Sequence, residues 1–182
     1  MVTVRDARVG DAAALCAAER ETARTPGLLV SVPEELAPGG YAALIVLLTG
    51  GAGCYRVAED AGRPVGHAYL NPMELCAVRH VFRLTIVVHP GHTGRGVGSA
   101  LMRSLLDWAR REPAVRKIEL LVRAGNERAR RLYEKFGFVE EGRLRDRVRL
   151  PDGGFVDDIT MAWFPERAGS ISAARADRAS SG

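Results

Sequence analysis

Apolar positions along this chain follow two periods, and the order in which they alternate predicts the fold. Thr3–Ala7 reads as a short strand. Asp11 starts a helical stretch, Ala12–Ala23, with Leu15 and Cys16 on its apolar side. Thr25-Pro-Gly breaks it. Pro33-Glu-Glu-Leu is predicted to open a second helix, which Pro38-Gly-Gly interrupts and Tyr41–Leu48 resumes. Strands follow. Cys54–Glu59 and Pro64–Leu70 are joined by the hairpin-type turn Asp60-Ala-Gly, and Val78–Val88 is ended by His89-Pro-Gly. After Gly94–Gly98, Val97, Leu101, Leu105 and Trp108 form one helical stripe. Lys117–Val122 is a buried strand. Asn126 caps a helix carrying Ala129, Leu132, Tyr133 and Phe136, and Gly137 ends it. Phe138–Val148 and Phe155–Phe164 form a last pair of strands. This order predicts a mixed α/β (α+β) domain with one central sheet flanked by helices.

After Phe164 large apolar side chains almost vanish, so residues 1–165 are expected to form the domain and 166–182 a disordered tail. The length of 182 residues suits one domain. The longest apolar run, Tyr41–Leu48, is far short of the roughly 20 residues that span a bilayer. The N-terminus shows no signal peptide. Three widely spaced cysteines, Cys16, Cys54 and Cys76, form neither a disulfide framework nor a CxxC metal site. A reducing cytoplasm fits them. The net charge of +4 comes almost wholly from arginine, because Lys117 and Lys135 are the only lysines. That balance can attract an anionic ligand. Aromatic residues are 6% of the chain, too sparse for a stacking surface, and no groove-reading motif is present, so nucleic acid is not an expected partner.

The most informative segment runs from Leu84 to Met102, a strand entering a glycine-rich loop that opens a helix. A helix N-terminus exposes unpaired N–H donors and a partial positive charge. Gly94, Gly96 and Gly98 would let those donors approach an anion without Cβ atoms in the way. A pyrophosphate fits such a run of donors best. A P-loop would need Gly-Lys-Ser/Thr, and Gly98-Ser99 lacks the lysine. A dinucleotide fold would need G-x-G-x-x-G after its first strand, whereas Ser99 holds the third motif position and several strands precede this loop. A glycine-rich turn without a ligand is the plain alternative.

Val88-His-Pro90 followed by Thr93-Gly-Arg-Gly-Val-Gly98, then Asn126-x-x-Ala129-x-x-Leu132-Tyr133-x-x-x-Gly137-Phe138, resembles the GNAT N-acetyltransferase superfamily. Thr93 stands where that family usually has Gln or Arg, which weakens one side-chain contact and leaves the backbone cradle. The resemblance covers roughly residues 2–164 and is sharp over 84–138. It implies two parallel strands, one ending at Val88 and one at Lys117–Val122, that splay apart and hold CoA. Pantetheine would bond to Ile86 and Val88 like an added strand, with Val87 between them. Arg95, Gly96, Val97, Gly98 and Ser99 would offer N–H groups to the pyrophosphate, and Asn126 would touch the cofactor as well as cap its helix. Acetyl-CoA is then the acetyl donor and a primary amine the acceptor, with no metal. A homodimer is compatible with the family. The runner-up is a CoA-binding sensor or scaffold without catalysis.

The chemistry makes three demands. The amine must lose a proton, since a primary alkyl amine titrates at about 10.4 in water. The oxyanion needs donors, and the Val88 N–H is the candidate. The departing thiolate takes a proton, for which the resemblance implies Tyr133. Periodicity alone instead places Tyr133 on the core stripe with Ala129 and Phe136. The base stays open. The strand Val78–Val88 contains no acid and offers His80, Arg83 and Thr85. The resemblance implies that the helical region holding Glu19, Glu21 and Glu35 builds the acceptor pocket, and Glu74 lies in the preceding hairpin; each reads more readily as a surface carboxylate than as a base. Glu119, on a central strand, faces either the site or the opposite layer. His89 and His92 flank the loop, neither with a second histidine at ligand spacing.

Overall fold

The computed structural model describes residues 1–165; the expected tail lies outside them. Seven strands form one sheet: β1 (Thr3–Asp6), β2 (Cys54–Asp60), β3 (Arg63–Pro72), β4 (Val81–Val88), β5 (Lys117–Arg123), β6 (Val139–Arg149) and β7 (Phe155–Trp163), in the order β1-β2-β3-β4-β5-β7-β6. Every pairing is antiparallel except β4–β5. The helices are α1 (Ala12–Ala23), α2 (Pro38–Leu47), α3 (Val97–Arg111) and α4 (Glu127–Lys135). The mixed sheet flanked by helices is the architecture the sequence predicts.

Alternation along the strands divides the core in two. On one face Ala68 and Leu70 of β3 and Phe82 and Leu84 of β4 pack with Val97, Leu101, Met102, Leu105 and Leu106 of α3 and with Tyr133 of α4. A second cluster joins Ala12 and Leu15 of α1, Ile45 of α2 and Tyr55 and Val57 of β2. Gly66 marks how closely α3 lies on the sheet, because a Cβ there would come within 2.9 Å of Val97.

Two expected elements are corrected. Pro33–Glu35 is only a 3-10 turn, and Pro38 opens α2 rather than interrupting it. Proline at the first helical position supplies the right φ and withholds an N–H that would be unpaired there anyway. The strand expected from Val78 begins at Val81, because Cys76–Val78 forms a 3-10 turn. His80 therefore precedes β4.

Candidate active site

The site begins where the sheet fails to close. β4 and β5 pair only at Val81–Lys117, Phe82–Ile118 and Arg83–Glu119. Beyond Arg83, β4 stays on β3 and β5 stays on β7, so a gap opens between the two parallel strands. The backbone phase decides which groups face it. The His89 N–H donates to the Val65 carbonyl at 3.0 Å, which makes Gly66 and Val88 a pair without mutual hydrogen bonds. The backbone groups of Val88, and by alternation those of Ile86, therefore point away from β3 and into the gap.

At the end of β4 the chain turns through a loop into α3. Gly96 caps that helix at φ 80°, and Gly94 also lies in the left-handed region at φ 82°. A Cβ at Gly96 would meet nothing within 4 Å, so the space in front of it is open. Gly98 has a further reason to be glycine. It is helical, and its Cβ would come within 3.1 Å of Leu132, so its lack of a side chain also lets α3 pack against α4.

Helix α4 forms the opposite wall. Asn126 caps it, its Oδ1 accepting from the Ala129 N–H at 3.1 Å. At the other end the Phe138 N–H bonds to the Tyr133 carbonyl at 3.1 Å and the Gly137 N–H to the Glu134 carbonyl at 3.0 Å. With Gly137 at φ 86°, this is a Schellman cap, and the rings of Tyr133 and Phe138 make its hydrophobic contact at 5.8 Å. The spacing Tyr133…Gly137-Phe138 is thus a device that fixes Tyr133.

The resulting cleft has a volume of about 760 Å³. Ile86, Val87, Val88, Gly96, Val97, Gly98, Ser99, Asn126 and Tyr133 all line it, and Arg95 does not. Arg128, Arg131 and Lys135 also line it, three cations that the motif reading missed. Their spacing of three and four residues along α4 was the available signal. Tyr133 sits on the core stripe, as its periodicity predicts. Its ring is buried in the core, and it lines the cleft. Burial pushes its hydroxyl well above the ordinary phenol range.

A second cavity of about 330 Å³ shares the wall of Ile86, Val87, Asn126, Ala129 and Tyr133 and extends toward Glu19, Tyr69, Thr85 and Arg123. Arg123 is buried in an ion pair with Asp158. Glu19 overturns the expectation of a surface carboxylate. Its side chain is 13% exposed and its Oε2 lies 3.1 Å from Nε2 of His67, which is fully buried. Burial works to raise the Glu19 carboxyl, but the hydrogen bond and charge of His67, with Tyr41 and His89, hold it below the usual carboxylate range. His89 also has a histidine partner after all, His67, at 3.2 Å. His67 escaped the sequence reading because it sits 22 residues away on β3 and belongs to no motif. Glu119 pairs with Arg83 and Lys117, away from the cleft lining. Among the described residues no cluster of His, Cys, Asp and Glu could hold a metal, and no helix is long and apolar enough to cross a membrane.

The sequence profile of the acetyltransferase (GNAT) family matches residues 23–138. The chain belongs to that family. A GCN5-related N-acetyltransferase from Kribbella flavida is 30% identical, with a TM-score of 0.80 over 90% of this chain and 97% of that one. The L-amino acid N-acetyltransferase AaaT of Escherichia coli is 35% identical over 58% of this chain and 65% of its own length. The chain spans about half to two thirds of the length of the first curated relatives it matches. A GNAT superfamily phosphinothricin acetyltransferase from Sinorhizobium meliloti, solved with acetyl-CoA, shares the fold at a TM-score of 0.83 and 21% identity, covering 96% of this chain and 94% of that one. The seven-stranded mixed sheet flanked by helices is thus a GNAT fold.

Proposed function

We propose that this chain is an N-acetyltransferase that moves acetyl from acetyl-CoA to a primary amine of a small molecule or protein, by direct attack and in the cytoplasm. The observation that carries the reading is the gap between β4 and β5 beside a helix N-terminus built on Gly94 and Gly96. The residues present fit the donor. Strand groups at Ile86 and Val88 face the gap where an extended pantetheine would bond like an added strand, with Val87 in the wall. The N–H groups of residues 95–99 open α3 toward a pyrophosphate. Arg128, Arg131 and Lys135 supply positive charge along the same cleft. Acetyl-CoA brings a thioester carbonyl and a thiolate leaving group.

The chain's own groups do the rest. The Val88 N–H stands at the mouth of the gap to receive the charge that develops on the carbonyl oxygen. Tyr133 keeps its proton across the physiological range, because burial disfavours the phenolate, so it has one to give to the departing sulfur. Asn126 holds the end of α4 and lines both cavities. The second cavity, sharing Ile86, Val87 and Tyr133 with the first, is where the acceptor would meet the acetyl group.

The test has two parts. CoA or acetyl-CoA should raise thermal stability, while NAD and ATP should not. Acetyl-CoA turnover should then appear with at least one of a panel of polyamines, amino acids, aminoglycosides and protein N-termini. Stabilisation by NAD or ATP and not by CoA would contradict the reading. CoA binding without turnover on any amine would turn it into a sensor.

A further inference from the structure

Behind the acceptor cavity runs a line of hydrogen bonds that no motif announces. Glu19 Oε2 lies 3.1 Å from His67 Nε2, His67 Nδ1 lies 3.2 Å from His89 Nε2, and His89 Nδ1 lies 3.1 Å from the Pro64 carbonyl. The line starts at a carboxylate that lines the cavity and ends in the backbone of β3.

Its last bond sets the direction of the others. A carbonyl only accepts, so His89 Nδ1 carries a hydrogen. Burial, helped by the neighbouring His67, lowers the His89 pKa to about 4, so near neutral pH that ring is uncharged and its Nε2 is an acceptor. His67 must then donate from Nδ1. A neutral His67 would be left with a bare Nε2 facing the carboxylate, two acceptors 3.1 Å apart. One further proton between them completes the line, as a carboxylate with an imidazolium or as a carboxylic acid with a neutral imidazole. The pair is a store for one proton, and its open end is in the cavity.

We propose that this store is the base of the acetyl transfer, with Glu19 facing the acceptor and His67 and His89 as positioning residues; the proposal rests on the acetyltransferase reading. The pair first releases its proton to water through the exposed part of Glu19; the N–H bond of the acceptor ammonium then breaks, its proton settles between Glu19 Oε2 and His67 Nε2, and the electron pair stays on nitrogen for the attack. The exposed part of Glu19 returns the proton to water after turnover. The other titratable groups around the pair are Tyr41 of α2, Tyr55 of β2, Tyr69 of β3 and His92 beyond β4, the last acting on His89. Burial drives the three phenols upward, so they stay neutral near neutral pH. The store also supplies what β4 lacks, since that strand carries no acid.

Glu19→Gln tests the base. Its kcat near neutral pH should fall by about 10²–10⁴. The loss should shrink as pH rises toward the amine's own pKa of about 10.4, where free amine no longer needs a base. Acetyl-CoA affinity should not change, and Glu21→Gln, at an exposed position on the same helix, should leave kcat intact. Imidazole nitrogen NMR of the wild-type chain tests the store without turnover. Neutral His67 and neutral His89 should both carry hydrogen on Nδ1. A neutral His67 protonated on Nε2, or a kcat loss that is absent or independent of pH, overturns the proposal. Failure of the acetyltransferase reading looks different: the wild-type chain itself acetylates no amine, which removes the base role while the tautomers stay as described.

Discussion

The two cavities are built from different materials. The donor side is made largely of backbone: a strand pair that separates after Arg83, N–H groups at a helix start, and a helix fixed by caps at Asn126 and Gly137. The second cavity takes Glu19 from α1 into its wall, and behind that carboxylate stand side chains brought from afar, Tyr41 on α2, His67 on β3 and His89 after β4. A cradle made of backbone needs glycines and caps at fixed local spacings. A line of side chains needs only that the fold bring three rings and a carboxylate into reach, and it sets no local spacing.

Breaking the donor side alone should have the largest effect. Gly96→Asp puts a β-carbon into a left-handed position and a negative charge into the open space before α3. Acetyl-CoA at 1,000 times its Kd should stabilise the wild-type chain by about 4 kcal/mol, and that stabilisation should vanish in the variant. Thermal melts with and without ligand read it directly. Retention of the shift would mean that the cradle lies elsewhere.

Protons should divide the two sides next. The folded chain binds a proton at His89 more weakly than the unfolded chain does, because burial lowers its pKa from 6.5 to about 4. Stability is therefore full above pH 6.5 and is lost as pH falls toward 4. At about 1.4 kcal/mol per unit, the loss reaches about 3 kcal/mol. Urea unfolding across that range measures it, and His89→Gln should flatten the curve. The backbone cradle should show no matching change in its hydrogen bonds.

Tyr133→Phe tests the wall that both cavities share. It keeps the ring against Phe138 and removes only the hydroxyl. Because a thiolate leaves fairly well unaided, kcat should drop by about 10², the low end for general acids. Stability and acetyl-CoA affinity should be nearly unchanged. Full turnover would leave Tyr133 as a packing residue and assign the proton to water.

The same contrast explains what was legible in the sequence. The mixed sheet, α3 with its stripe, the glycine loop and the α4 caps follow from local spacing, and the structure contains each of them. The sequence marks Pro33 as opening a helix and Pro38 as interrupting it, whereas Pro33 opens only a 3-10 turn and Pro38 opens α2, because proline marks a first turn and a break equally well and only the tertiary context chooses. Glu19 carried a usable signal: it continues the buried phase of Ala12, Leu15 and Cys16 on α1. A carboxylate at that phase has to find a partner in the core. His67 gave no such signal, since one histidine among the buried residues of β3 has no period that marks it.

A structure of the chain with acetyl-CoA bound tests the central claim most directly. Pantetheine should lie between β4 and β5, bonded to the backbone of Ile86 and Val88. The pyrophosphate should lie on the N–H groups of residues 95–99, and the thioester on the wall shared with the Glu19 cavity. Pantetheine outside the gap, or a thioester that the Glu19 cavity does not reach, would contradict the account.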